Sequence, residues 1–384
     1  MRKQKKHSLF TARLFSGRLK KLAVLCACVV GQTVAAQTVP VREYPVVIND
    51  TTTYTLKLAV DPQNRPDYFY CHVFTPVCLT GECKPVYINL YWDLLGNYTR
   101  FDFPAGEELT RMDHKPFKPE DYDKLQTILS NTQSLLKDVS MSDLVSKGTE
   151  NLADSVDAKA GATLKTVKNE VIDGAVYTCY TLWHIAHGKV VLTMRQVTAS
   201  MSDDDQLHRF LASSNYHYQY WAMDKVIGTD GTVRPAFSED LLRILRGKNI
   251  FTARYALQHL NTSFWASADR QRWLWETYRQ APYTLQIAML KYLPALTPTP
   301  WLITQAARQL AQVNPEQTAL LVTLLERQPT LTDETQLIVA DFLPRVPDTK
   351  TAMRVYDLLH AKKPANRLVR QRLADYARTL NQTR

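Results

Sequence analysis

The chain has 384 residues and a formal net charge of +10, with 47 basic side chains against 37 acidic ones. Eight basic residues lie within the first 21 positions, and taking these eight from 47 leaves 39 basic residues against 37 acidic ones. The positive excess therefore belongs to the N-terminal leader. The remaining chain is nearly neutral, so its charge gives no support for nucleic-acid binding through phosphate contacts.

Residues 1–36 have the layout of a secretory signal peptide. A basic segment without acids precedes the apolar run Leu22–Val30, and small residues just before Gln37 provide a cleavage site. The run is shorter than the roughly 20 apolar residues of a spanning helix, although retention as an anchor is the alternative. The short apolar core before Cys28 disfavours a lipoprotein. We predict a cleaved leader and a periplasmic or otherwise extracytoplasmic chain.

Four cysteines follow the leader, and an oxidising compartment favours their pairing as disulfides. Cys78 and Cys83 flank the turn-like sequence Leu-Thr-Gly-Glu, which predicts this pair and leaves Cys71 with Cys179. A zinc site formed by three cysteines and His72 is the alternative, but the spacing lacks the paired Cys-x-x-Cys pattern of structural zinc. We therefore predict two disulfides and no metal.

The next part of the chain, residues 37–200, mixes β-rich and helical patterns. Alternating apolar residues between turn sequences predict three strands, at Thr53–Val60, Tyr68–Val73 and Val86–Trp92. Apolar spacing predicts a helix over Pro119–Leu136, and a long loop follows through Asp143–Lys159. A second helix is predicted to begin near Leu164 and continue to Ala186, before a strand at Lys189–Val197. These elements predict a compact α+β domain.

A short motif lies at the predicted start of that second helix. Its residues are Asp157, Gly161, Ala162, Thr163, Lys165 and Lys168. Glycine allows a ligand to approach the backbone closely, and a helix N-terminus favours phosphate through its free N–H groups and dipole. The two lysines suit an anionic ligand. The alternative is that Thr163 is a helix N-cap and that the lysines point into water.

This segment resembles the attachment motif of the FMN-binding domain family found in subunits of Rnf and sodium-pumping quinone reductase complexes. The family pattern is Asp-x-x-Ser/Thr-Gly-Ala-Thr, and Asp157, Gly161, Ala162 and Thr163 match it, while Ala160 replaces the usual hydroxyl residue. The resemblance implies an FMN-binding-like domain with FMN joined to Thr163 through a phosphoester by a flavin transferase. FMN or another phosphate ligand held without a covalent bond is the alternative.

Two other polar groups are weaker candidates. His184 and His187 lie three residues apart on the second helix, but the zinc motif His-Glu-x-x-His is absent, so the sequence favours caps or dipole partners. Asp203–Asp205 lacks the glycine and distal glutamate of a calcium loop. The acidic run therefore predicts a solvated linker, which we place at 201–237.

The last part of the chain, residues 238–384, has a different composition. No glycine occurs from Lys248 to the C-terminus, and nine prolines separate helical apolar stripes. Nine helices are predicted to start near Ser238, Ile250, Ser267, Tyr283, Pro300, Pro315, Thr332, Asp348 and Ala365. The mean step of roughly 16 residues predicts an α-solenoid, HEAT-like or TPR-like, with an irregular helical bundle as the alternative.

Together these patterns predict an exported flavoprotein. FMN on Thr163 would relay electrons in the cell envelope, and the helical half would dock a redox partner or membrane complex. The chain is thus expected to transfer electrons rather than convert a substrate. The competing hypothesis is a non-enzymatic periplasmic scaffold protein whose FMN-binding-like domain has lost the cofactor.

Overall fold

The computed structural model describes residues 41–77, 83–111, 114–144, 167–346 and 348–382. Its N-terminal half contains a five-stranded antiparallel sheet in which each strand pairs with the next along the chain. The strands are β1 (Val41–Asn49), β2 (Thr52–Val60), β3 (Pro66–Thr75), β4 (Val86–Trp92) and β5 (Tyr98–Asp102). The three strands predicted from the sequence are confirmed as β2, β3 and β4. Strands β1 and β5 were not predicted from the sequence.

The sheet has one buried face. On β2, β3 and β4 every second side chain points into the core, as the twofold periodicity of a strand requires. The inward residues of these strands are Tyr54, Leu56, Leu58, Phe69, Cys71, Val73, Ile88, Leu90 and Trp92, all nearly or fully buried. The alternate residues form the opposite, outer face.

Among the described residues, three α-helices complete this half: α1 (Pro119–Ser130), α2 (Val176–His187) and α3 (Lys189–Met201). The indole Nε1 of Trp92 donates to the carbonyl of Ala186 at 2.7 Å, which joins β4 to α2. The hydroxyl of Thr198 donates to the carbonyl of Leu94 at 2.5 Å, which joins the turn after β4 to α3. Helices therefore cover the inward face of the sheet.

The turn between β4 and β5 has a strict backbone requirement at Gly96. Its φ of +77° lies in the left-handed region, and a Cβ there would approach Cγ1 of Val191 to 2.7 Å. Asp93 organises the turn by accepting the amides of Leu95 and Asn97, each at 2.9 Å. Glycine thus allows the turn to lie directly against α3.

Two sequence predictions in this half are wrong. Lys189–Val197 was predicted as a strand but belongs to helix α3. Val190, Met194 and Val197 are buried at helical spacing, so packing on one helix face overrides the β preference of the valines. The helix predicted from Leu164 to Ala186 begins only at Val176, because Gly174 has a φ of +75°, outside the helical range.

The first helix is shorter than predicted. The sequence pattern extends from Pro119 to Leu136, whereas α1 ends at Ser130. A separate one-turn helix, Leu135–Lys137, buries Leu136 after the break. The apolar spacing continues across the break because both pieces contribute to one core.

The second half of the chain is helical. After α3 the helices are α4 (Asp204–Ala212), α5 (Tyr216–Val226), α6 (Ser238–Leu245), α7 (Ile250–His259), α8 (Ala268–Gln280), α9 (Tyr283–Tyr292), α10 (Pro300–Gln309), α11 (Pro315–Glu326), α12 (Asp333–Phe342), α13 (Thr349–Ala361) and α14 (Arg367–Gln382). The nine predicted helix starts are confirmed, each within two residues. The architecture is thus α+β followed by all-α.

The segment 201–237, predicted as a linker, contains the two helices α4 and α5. Asp203 is the N-cap of α4, because its carboxylate accepts the amide of Gln206 at 2.8 Å. The Tyr218 hydroxyl on α5 accepts the Leu94 amide at 2.9 Å. The acidic run is therefore a helix start, and the helices after it pack against the sheet half.

Contacts between helices recur at a constant distance along the sequence. Helices two apart pack against each other, as α4 does on α6 and α10 does on α12. Hydrogen bonds join residues 31 positions apart at three successive levels, in the pairs Thr304 with Thr335, Gln286 with Gln317 and Thr323 with Arg354. Each helix pair therefore repeats the placement of the pair before it.

The predicted disulfide between Cys71 and Cys179 is not formed in this structure. Cys71 is a free thiol on the inward face of β3, and burial raises its pKa to about 12. The Cys179 sulfur on α2 instead accepts the backbone amide of Ile172 at 3.4 Å. The second predicted pair joins Cys83 to Cys78, and Cys78 lies outside the described residues.

Candidate functional site

Most of the predicted attachment motif lies outside the described residues. Asp157, Gly161, Ala162, Thr163 and Lys165 all belong to the segment 145–166, which the structure does not describe. Lys168 is described: it is exposed and opens the one-turn helix Lys168–Glu170.

The residues on both sides of 145–166 are fixed in the core. Leu144 before it and Val167 after it are both fully buried. Glu170 accepts the hydroxyl of Ser134 at 2.7 Å, which ties the chain after the segment to the chain before it. The chain on each side of the motif segment is therefore anchored in the α+β half.

Helix α2 holds the incoming chain through four side chains, which we call the α2 clasp: Tyr180, Trp183, His184 and His187. Each one contacts a backbone carbonyl of the chain between Leu129, in the last turn of α1, and Leu144. The Tyr180 hydroxyl lies 3.3 Å from the Val139 carbonyl, and the Trp183 indole nitrogen lies 2.9 Å from the Asn131 carbonyl. Nε2 of His184 lies 3.0 Å from the Leu136 carbonyl, and Nε2 of His187 lies 2.9 Å from the Leu129 carbonyl. The clasp thus fixes the path that leads into the motif segment.

The clasp histidines are neutral donors. A carbonyl oxygen only accepts hydrogen bonds, so each ring must carry its proton on Nε2 in these contacts. Burial lowers the pKa of both His184 and His187 below the ordinary value, against a smaller raising effect of the carbonyl contacts. These histidines, which the sequence indicated as caps or dipole partners, bind the carbonyls of Leu136 and Leu129 in the chain that precedes the motif segment.

We expect the clasp to weaken in acid. Because the folded pKa of each histidine is lowered, its contribution to stability is complete above the ordinary pKa of about 6.5 and is lost as the pH falls through the folded pKa. Between pH 7.5 and pH 5 the free energy of unfolding should fall. The fall should be smaller in the double variant His184→Gln and His187→Gln, as measured by urea unfolding at each pH.

The exposed histidine of α5 provides the control for that experiment. His217→Gln should keep the pH dependence of the parent chain, because its ring is exposed in the structure. An equal fall in the parent and in the double variant would contradict a role of the clasp histidines in the acid response.

A second cluster, which the sequence reading did not predict, lies on the outer face of the sheet. We call it the outer sheet face, and its members are Lys57, Tyr68, Tyr70, His72, Asn89, Tyr91, Arg100 and Asp102. Strand register brings them together: Lys57 pairs with Tyr70, Tyr70 with Tyr91, and Tyr91 with Arg100. A row of side chains therefore crosses four strands.

Three tyrosine rings form the centre of the outer sheet face. The centroids of Tyr68 and Tyr70 are 6.0 Å apart, those of Tyr68 and Tyr91 are 6.0 Å apart, and those of Tyr70 and Tyr91 are 5.9 Å apart. The Arg100 guanidinium lies 3.5 Å from the Tyr91 centroid, a cation–π contact. The rings make a partly exposed triangular platform in which the planes of Tyr70 and Tyr91 differ by 19° and Tyr68 is tilted by 47° and 46° against them.

Polar side chains beside the rings form a connected chain of hydrogen bonds. His72 Nδ1 lies 2.6 Å from the amide oxygen of Asn89, and the amide nitrogen of Asn89 donates to one Asp102 oxygen at 2.7 Å. Arg100 donates to the other Asp102 oxygen at 2.7 Å. Burial raises the pKa of Asp102, but the donors Asn89 and Arg100 outweigh it and hold the pKa below its ordinary value. The carboxylate is thus ionised and held in one orientation.

The described residues contain no group of three or more His, Cys, Asp or Glu side chains placed to hold a metal ion. Within the same part of the chain, no helix combines the length and the apolar character needed to cross a membrane.

Comparison of the chain with protein-family models, with curated proteins and with solved structures gives no match. The function of this chain therefore rests on its residues and their geometry.

Proposed function

We propose that the chain is an exported flavoprotein that carries FMN on Thr163 and relays electrons in the cell envelope. The observation that supports this proposal most is the position of the motif Asp157–Thr163 in a segment whose two ends, Leu144 and Val167, are fixed in the core. A tethered redox group needs such an anchor, because the protein must place the flavin ring at a reproducible distance from its partners.

The attachment chemistry uses the side chain of Thr163. Its hydroxyl oxygen forms the new bond to phosphorus and loses its proton, while the flavin donor, a dinucleotide, loses its nucleotide half as the pyrophosphate bond breaks. A flavin transferase supplies this reaction. Once bound, the isoalloxazine ring exchanges one or two electrons, and the chain supplies anchorage. Lys168, exposed five residues beyond Thr163, offers a cation to the phosphate.

Intact-mass spectrometry tests the attachment. The chain is produced together with a flavin transferase and a flavin supply, exported and purified. We expect a mass increase of one FMN minus water, lost in Thr163→Ala and kept in the matched control Thr166→Ala. An unmodified parent chain, or a modification that remains in Thr163→Ala, would contradict the proposal.

We also propose that the helices from α4 onward form an α-solenoid of the HEAT-like or TPR-like kind that docks a redox partner or membrane complex. The contacts between helices two apart and the hydrogen bonds across 31 residues support this assignment. A stack of this kind presents a long surface to a partner.

One part of that surface is a hollow of about 520 Å³ between α5 and α7. Its lining includes the carboxylates of Asp224 and Asp230 and the C-terminal ends of both helices, and it includes no lysine or arginine. Helix C-termini carry partial negative charge, so the hollow favours a cationic group of the docked partner.

The second candidate function is a non-enzymatic envelope scaffold whose α+β half carries no flavin. It is favoured by the start of α2 at Val176, because the helix expected to begin near Leu164 and to offer its N-terminal dipole to a phosphate on Thr163 begins 12 residues later. The mass measurement separates the two candidates, since only the flavoprotein gains mass at Thr163.

A further inference from the structure

We propose that the outer sheet face binds a carbohydrate, a chain of linked pyranose rings. This inference does not rest on the flavin proposal, because it concerns the opposite surface of the sheet from the helices that hold the motif segment. It begins with the three rings of Tyr68, Tyr70 and Tyr91. A water-facing strand surface is ordinarily polar, so a contiguous aromatic platform on it indicates a binding surface.

The combination of groups selects the ligand class. A pyranose ring has an apolar C–H face and a rim of hydroxyl groups, so it packs on aromatic rings that lie next to donors and acceptors. Tyr70 and Tyr91, whose planes differ by 19°, provide aromatic surface together with Tyr68, which is tilted by 47° and 46° against them. The linked groups of His72, Asn89 and Asp102 provide donors and acceptors in fixed orientations, since Asn89 at their centre is only 9% exposed.

Hydrogen-bonding capacity remains for a ligand. His72 is exposed and uses Nδ1 in its contact with Asn89, so its second ring nitrogen, Nε2, is not engaged in that contact. Arg100 uses Nη1 toward Asp102, which leaves its other N–H groups. Hydroxyl groups both donate and accept, so a sugar satisfies this mixture of groups better than a ligand with one kind of polar atom.

Charge on the same face disfavours other partners. Glu43 pairs with Lys57 at 3.3 Å and Asp102 lies beside Arg100, so acids and bases alternate among the rings. Because each acid is paired with a base, the face offers no net positive charge to the phosphate groups of nucleic acid or anionic lipid. The centre of a protein interface is depleted of charged residues, whereas charges here adjoin the central rings.

Binding of defined glycans tests the proposal on the mature chain, residues 37–384. The probes are β-1,4-linked hexamers of glucose, N-acetylglucosamine, mannose and xylose, measured by titration calorimetry, and purified peptidoglycan sacculi in a sedimentation assay. We expect at least one probe to bind. Tyr70→Ala and Tyr91→Ala should each weaken that binding by about tenfold, because each removes one ring of the platform.

Matched variants separate binding from folding. Tyr216→Ala removes a tyrosine that is 47% exposed on α5 and should leave binding unchanged. Tyr70→Phe keeps the ring and should bind nearly as well as the parent, even if Tyr70→Ala unfolds. Absence of binding to every probe would overturn the proposal. So would concentration-dependent self-association in light scattering that Tyr70→Phe preserves and Tyr70→Ala abolishes while no glycan binds.

Discussion

Trp92→Ala should lower the free energy of unfolding by about 3–5 kcal/mol, the range for removal of a buried tryptophan. Trp92 is fully buried on the inward face of β4, and its indole donates to the Ala186 carbonyl at 2.7 Å. The substitution leaves a cavity between the sheet and α2, and it leaves that carbonyl without its donor. Urea unfolding followed by far-ultraviolet circular dichroism measures the loss.

Two variants calibrate the measurement. Trp92→Phe fills part of the cavity but lacks the donor, so its loss should be smaller than that of Trp92→Ala. Trp301→Ala truncates a tryptophan of α10 that is only partly buried, and its loss should be smaller still. Equal losses for Trp92→Ala and Trp301→Ala would show that β4 and α2 are not joined as described.

Gln271→Leu should destabilise the helical half by about 2–4 kcal/mol, because it leaves several buried backbone groups without partners. Gln271 on α8 is fully buried. Its amide nitrogen donates to the carbonyls of Trp265 and Thr297 at 3.1 and 3.0 Å, and its oxygen accepts the amide of Thr299 at 2.7 Å. One side chain thus holds the start of α10 against α8.

The control is the exposed glutamine at the end of the same helix. Gln280→Leu makes the same chemical change at an exposed position, so its effect should stay within about 0.5 kcal/mol. Hydrogen exchange gives a second readout, since protection at Thr299 should fall in Gln271→Leu. Unchanged protection at that amide would contradict the described role of Gln271.

The helical half was predictable because its helix starts are encoded locally. Thr299 before Pro300 and Asn314 before Pro315 each combine an N-cap with a proline in the first turn, and the structure shows both caps. Such signals act within a few residues and need no tertiary contact. The strand predicted at Lys189–Val197 was wrong because its valines respond to packing against the sheet, which the local sequence does not show.

The two candidate sites differ in how far the sequence reveals them. The Asp157–Thr163 motif is contiguous and is visible as a pattern, although its role stays a prediction. The outer sheet face combines Tyr70 on β3, Tyr91 on β4 and Arg100 on β5, and these are neighbours only through strand register. The alternation of polar and apolar residues indicates that Tyr68, Tyr70 and His72 lie on one face of their strand. Which residues of the other strands lie beside them depends on how the strands pair.

The 31-residue interval between hydrogen-bonded partners has a consequence for the way the helical half forms. Each new helix pair completes its contacts with chain that has already been made, so ordering can advance level by level from α4 toward α14 without waiting for distant sequence. Thr304 can meet Thr335 as soon as α12 exists. In the sheet half, the hydrogen bond from Trp92 to Ala186 joins residues 94 positions apart, so it forms only after a long stretch of chain has been made. The two halves should therefore acquire structure on different timescales.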